Sequence, residues 1–176
     1  MRKIVLTFGL IAGAVMGASM AVTMPFHDRI SAGQGMFIGY TSMVLAFLMV
    51  FFGVRACREQ DGGHIGFGRA LLVGLLIAGL GCACYVATWE LLYYFVYPDF
   101  AERYAASAIE HARRSGADEA HLAELTRQMN EFTANYHRPL YNILMTLIEP
   151  LPVGLVFALV SAGVLRRRPA PRPMAA

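Results

Sequence analysis

Four long apolar runs leave this chain few ways to fold. They cover residues 4–24, 36–54, 70–97 and 139–165, and each reaches or approaches the ~20 residues an α-helix needs to cross hydrocarbon. Inside lipid a segment must satisfy its own backbone amides, so runs of this kind form helices. Composition agrees. Hydrophobic residues make up 57% of the chain and charged residues 15%, where a soluble domain carries roughly 25% charged. The expectation is an all-α, multi-pass membrane protein, a four-transmembrane-helix bundle filling residues 1–168. The long polar stretch, 98–138, is too short for a second large domain and reads as an extramembrane helical hairpin between spans three and four. Residues 169–176, basic and Pro-rich, read as a disordered tail.

The first run has a rival reading as a cleaved signal peptide, with Met1-Arg2-Lys3 as basic head and Ser19-Met20-Ala21 as small-residue end. Apolarity continues past that point to Met24, long enough for a full span. Gly9, Gly13 and Gly17 also recur every fourth residue, which leaves one helix face bare for close helix packing. The fourth run repeats the device with Gly154, Ala158 and Ala162. These two seams suit contact with each other or with another copy of the chain.

Orientation follows from lysine and arginine in the short flanks. Arg2, Lys3, Arg55, Arg58, Arg69, Arg166, Arg167, Arg168 and Arg172 fall on one side. The other side holds Arg29 and five arginines of 98–138, which seven acids balance. Both termini are therefore expected in the cytoplasm and the hairpin in the periplasm. No basic groove with interleaved aromatics exists, so nucleic acid is not an expected partner. The lipid bilayer is one, and a homo-oligomer or a membrane-protein partner fits the bare seams. Cys57, Cys82 and Cys84 make no disulfide framework, and the five histidines are scattered without ligand spacing. No metal or cofactor is implied.

Between spans two and three, the glycines at 62, 63, 66 and 68 predict a turn, with Ile65 and Phe67 dipping into the interface and Arg69 anchoring the next helix. Trp89, Tyr93, Tyr94, Phe95 and Tyr97 mark the outer interface. The hairpin is expected to break at Ser115-Gly116. One helix carries a stripe of Phe100, Tyr104, Ala108 and Ala112, and the other Leu122, Leu125, Met129, Phe132 and Tyr136. The stripes pack on each other or on the membrane, or they form a docking face.

Two acids interrupt the apolar runs, Glu90 and Glu149. A charged carboxylate in hydrocarbon is unfavourable by about 2.5–3.5 kcal/mol, so such groups face the interior and take partners. Counted at 1.5 Å per residue from Tyr97 and Pro139, they lie about 10 and 15 Å deep, close enough in height to share a site. Pro150 and Pro152 follow Glu149 and lack the amide hydrogens that would bond the carbonyls of Thr146 and Ile148, so the helix bends there and frees two oxygens. Tyr93, Tyr94, Thr88, Tyr141, Asn142 and Thr146 are polar groups nearby in sequence. The candidate ligand- or ion-binding set is Glu90, Glu149, Thr146, Asn142, Tyr93 and Tyr94, with Pro150 and Pro152 as the helix break. A structural reading stands beside it, in which a neutral buried acid bonds a tyrosine or a freed carbonyl. No activated nucleophile or metal cluster accompanies the acids, so no catalytic residue is expected.

The phrases GLIAGAVMG, IGYTSMVLAFLMVFFGVR, GGHIGFGRALLVGLLIA, PDFAERY and RPLYNILMTLIEPLPVGLVFALVSAGVL resemble the bacterial four-span "domain of unknown function 4199" family of uncharacterised membrane proteins. The resemblance implies a bacterial inner-membrane protein with an outer helical segment, and no activity comes with it. The leading expectation is a non-enzymatic membrane protein that binds a small ligand, lipid or partner at an outer-leaflet site around the two intramembrane carboxylates. The alternative is a small proton- or cation-coupled transporter, or a subunit of one, using the same acids.

Overall fold

The computed structural model describes residues 1–25 and 32–166. Arg29, Arg167, Arg168, Arg172 and the tail at 169–176 lie outside the described residues. Among those described the chain is all-helical, with no strand. The helices are α1 (Arg2–Thr23), α2 (Ala32–Gln60), α3 (Phe67–Phe95), α4 (Phe100–Arg114), α5 (Glu119–Tyr136), α6 (Pro139–Ile148) and α7 (Pro150–Leu165). Helices α1, α2 and α3 are each long and apolar enough to cross a membrane. The fourth apolar run is two helices, α6 and α7, bent by 44° at Glu149. Pro150 starts α7 because its ring and missing N–H cannot continue the hydrogen-bond ladder of α6.

The chain divides into two compact units, Met1–Thr88 with Ile148–Ala176, and Trp89–Leu147. In the first unit, a carbon added at Gly9, Gly13 or Gly17 would lie 2.7 Å from Leu80 Cδ2, 2.4 Å from Cys84 Cβ or 2.7 Å from Thr88 Oγ1. A four-residue repeat of bare backbone on α1 thus receives a four-residue repeat of side chains from α3. The α7 seam also meets α3. A carbon at Gly154 would lie 3.0 Å from the Phe47 ring of α2 and 3.1 Å from Ala78 Cβ, and one at Gly74 would lie 3.1 Å from the Cα of Ala158. Helix α3 therefore contacts both seams, and α2 shares the α7 seam with it, a choice the repeats alone leave open. Phe47, Val50 and Val54 of α2 and Val73 and Ile77 of α3 fill the core between them, all fully buried.

The turn after α2 adopts left-handed backbone at Gly62 and Gly63, φ 73° and 85°, which glycine reaches without a Cβ clash. Arg69 pairs with Asp61 at 3.0 Å across it. Ile65 is buried, while Phe67 is exposed instead of dipping inward.

In the second unit, α4 and α5 turn at Gly116, φ 80°, and Asp118 caps α5 by accepting from the His121 N–H at 2.7 Å. The aromatic ends of the two stripes meet in antiparallel register, Phe100 on Tyr136 at 6.0 Å and Tyr104 on Phe132 at 5.6 Å between ring centres. On α4 the buried positions are Ala101 and Ala105, whose small side chains let the helices close. The outer faces carry ion pairs of Glu110 with Arg113 and Arg114, and of Arg127 with Glu124 and Glu131. Arg114 holds the Glu110 carboxyl below its usual range, and Arg127, with Gln128, pulls Glu124 down to about 2. Such exposed pairs contribute little to stability. They keep this surface in water.

Candidate functional site

A polar cluster walled by aromatic rings occupies the second unit, where the end of α3 meets α4, α5 and α6. Its centre is Asn142, fully buried on α6. The Trp89 indole N–H donates to Asn142 Oδ1 at 2.9 Å. That bond fixes which end of the amide faces the indole, because an indole nitrogen donates only. The amide nitrogen Nδ2 then points elsewhere, buried and with no hydrogen-bond partner among the described residues. Thr146 donates to the Asn142 carbonyl at 2.9 Å and lies 3.3 Å from Oδ1. Burial pushes the Tyr136 hydroxyl up to about 12, against the opposing influence of Trp89 and Thr146.

Glu90 stands next to Trp89 on α3. Its Oε1 is buried and also lacks a partner among the described residues. The cluster thus holds an orphaned donor and an orphaned acceptor, each of which costs about 1–3 kcal/mol when left unmade. The walls are tight. Trp89 packs edge-on against Phe100 at 4.7 Å and along Tyr93 at 6.2 Å, and Tyr93 packs edge-on against Tyr136 at 5.6 Å. Toward water, Tyr93 bonds His137 Nδ1 at 3.0 Å, and His137 Nε2 bonds Glu102 at 2.8 Å.

The other acid has a different partner. Glu149 lies in the first unit at the α6–α7 break, where its Oε2 accepts from the Tyr85 hydroxyl at 2.9 Å. Glu149 is exposed on the chain surface, whereas Tyr85 and Pro150 are buried. An acid inside a membrane span is expected to turn inward; Glu149 instead keeps an outward position and satisfies one oxygen through a tyrosine reaching from α3.

The candidate residues therefore fall into groups. Asn142 and Thr146 touch directly, and Glu90 and Tyr93 belong to the same cluster, all in the second unit. Tyr94 is 50% exposed and meets Tyr93 edge-on at 5.2 Å, which places it on the rim. Thr88 belongs to the α1 seam and bonds the Cys84 carbonyl at 2.9 Å. Sequence reasoning missed Trp89 and Tyr136 as site residues, and missed His137, Glu102 and Tyr85 altogether. Tyr85 carried a signal. It lies twelve residues before Tyr97, about 18 Å inward at 1.5 Å per residue, nearer the depth of Glu149 than Glu90 is. A tyrosine hydroxyl so far from the interface needs a partner.

No curated protein and no solved structure matches the chain. A family profile matches residues 7–167, a stretch that takes in the polar cluster, the hairpin and the broken run. The chain belongs to the family described as Protein of unknown function (DUF4199).

Proposed function

We propose that this is a non-enzymatic, four-span protein of the bacterial cytoplasmic membrane that binds a lipid headgroup through Glu90 and Asn142. In this reading α6 and α7 make one broken crossing, α4 and α5 form a periplasmic hairpin, and both termini lie in the cytoplasm. The basic residues flanking the spans support that orientation. One observation carries the reading: a buried carboxylate oxygen of Glu90, beside Trp89 on α3, and a buried amide N–H of Asn142, which bonds Trp89, both without partners among the described residues. Native proteins rarely tolerate such groups, and an unfilled ligand contact is one explanation. A zwitterionic headgroup answers both at once, its ammonium pairing with Glu90 and its phosphate oxygen accepting from Asn142.

The test is retention of phosphatidylethanolamine by the purified protein in mixed micelles, read by native mass spectrometry. Glu90→Gln keeps the shape and removes the charge. Losing one charge-assisted hydrogen bond of about 1.5–3 kcal/mol weakens retention by roughly tenfold or more. Equal retention by the two proteins, or none by the wild type, rejects the lipid reading.

A second reading, a proton- or cation-coupled transporter, is favoured by Glu149 at the proline break beside the Tyr85 hydroxyl. Interrupted helices of this kind hold coupling ions in transporters. In phosphatidylethanolamine–phosphatidylglycerol vesicles with an imposed pH gradient, the wild type is expected to speed collapse of the gradient and Glu149→Gln to abolish that effect. Equal collapse with both proteins, or no acceleration by the wild type, eliminates the coupling role.

A further inference from the structure

We infer that the Glu149 carboxylate binds a lipophilic cation, a positive charge that carries its own apolar body and reaches the acid from within the bilayer. The inference rests on the four-span reading, in which α6 and α7 make one broken crossing, and it names the ligand class of the acid that the transport reading uses. Glu149 lies ten residues after Pro139 and sixteen before Leu165, about 15 and 24 Å along the helices at 1.5 Å per residue. That depth is hydrocarbon from either side. The residue is exposed on the chain surface, and its neighbours on the same side of the break are apolar and exposed too, Ile148 at 65%, Leu151 at 48% and Leu155 at 44%. One carboxylate thus sits in an outward apolar face. It is also held there. The buried Tyr85 donates to Oε2 at 2.9 Å, which fixes the group and leaves Oε1 for an outside partner.

Charge complementarity selects the occupant. A carboxylate in a low-dielectric surround needs a positive partner, and this chain has none to offer. No lysine, arginine or histidine occurs in 4–24, 36–54, 70–97 or 139–165. The nearest in sequence, Arg138 and Arg166, are about 16 and 25 Å away along the helices. A second copy would present the same charge-free runs, so pairing between copies does not answer the acid. Hydrocarbon decides the rest. A hydrated metal ion pays its full desolvation cost in lipid, whereas a cation wrapped in apolar groups spreads its charge, partitions into the bilayer and packs against Ile148, Leu151 and Leu155 while its charge meets Oε1. Tyr85 is a positioning residue in this site.

The probe is tetraphenylphosphonium, titrated into the full-length protein in phosphatidylcholine discs, whose headgroups carry no net charge, with no pH gradient imposed. Saturable binding is expected, weakened at least about tenfold in Glu149→Gln by loss of one member of the charge pair and unchanged in Glu90→Gln. Tetramethylammonium, charged without an apolar body, and triphenylphosphine oxide, apolar without a charge, should not compete. A second measurement uses the wild type alone, so it holds even where Glu149→Gln fails to fold. Dicyclohexylcarbodiimide, an apolar carboxyl reagent, should modify Glu149, as located by peptide mass spectrometry, and tetraphenylphosphonium should slow that modification. The cation site is overturned by absent binding, by equal binding in Glu149→Gln, by competition from either control compound, or by modification that the probe leaves unchanged. Equal modification by a water-soluble carbodiimide would place Glu149 in water and overturn the four-span reading with it. Since no gradient is present, binding stands even where the transport reading fails.

Discussion

Gly13→Ala is expected to destabilise the protein by about 1–3 kcal/mol, the usual cost of forcing extra volume into a packed core. The added carbon would sit 2.4 Å from Cys84 Cβ. Both atoms are one bond from the backbone, so neither can swing aside. The helices must part instead, loosening the flanking contacts of Gly9 with Leu80 and Gly17 with Thr88. Gly53 supplies the comparison. A carbon there would come within 2.3 Å of Ile77 Cδ1, a nominally worse clash, yet that atom is the far end of a flexible side chain and can rotate away. Thermal melting in detergent should therefore rank Gly13→Ala well below Gly53→Ala. Adding Cys84→Gly should recover most of the loss, since it removes the opposing carbon. A Gly13→Ala protein that melts with the wild type, or a loss indifferent to Cys84→Gly, would show that the seam is not a close α1–α3 contact.

What the sequence made legible is what local rules decide. The apolar runs became α1, α2, α3 and the α6–α7 pair, as expected of backbone that would have to bond itself in hydrocarbon. Helix α2 outruns its apolar stretch to Gln60, where Arg55 pairs with Glu59 one turn on at 2.9 Å. The hairpin break followed from Ser115-Gly116, and the bend from Pro150, because each acts on its own backbone. Partner identity was not legible. Gly9, Gly13 and Gly17 announce that something approaches, but a bare face says nothing about which helix comes. Asn142 likewise shows no sign in sequence that Trp89, fifty-three positions earlier, holds its amide. His137 looked like one of five scattered histidines until the fold brought Glu102 and Tyr93 to its two nitrogens. Spacing identifies a metal site or a helix face, whereas hydrogen bonds assembled from three elements leave no spacing to find.

The same reasoning gives the sharpest expectation for Glu149. Tyr85→Phe should cost about 1.5–3 kcal/mol, because it strips a charge-assisted hydrogen bond and leaves the carboxylate behind. In the four-span reading the exposed side of Glu149 meets lipid rather than water, so solvent cannot replace the lost donor. Glu149→Gln should cost less, since the amide oxygen still accepts from Tyr85. The double variant Tyr85→Phe with Glu149→Leu should recover most of the stability lost in Tyr85→Phe, because removing both members of a polar pair spares the desolvation cost that removing one exposes. Denaturation in bilayer-like discs measures all three. A Tyr85→Phe protein as stable as the wild type would mean that the hydroxyl contributes nothing to holding the acid. If the double variant folds but no longer collapses the pH gradient, the pair is dispensable for the fold and is kept for the proton. That outcome would move Glu149 from packing to function.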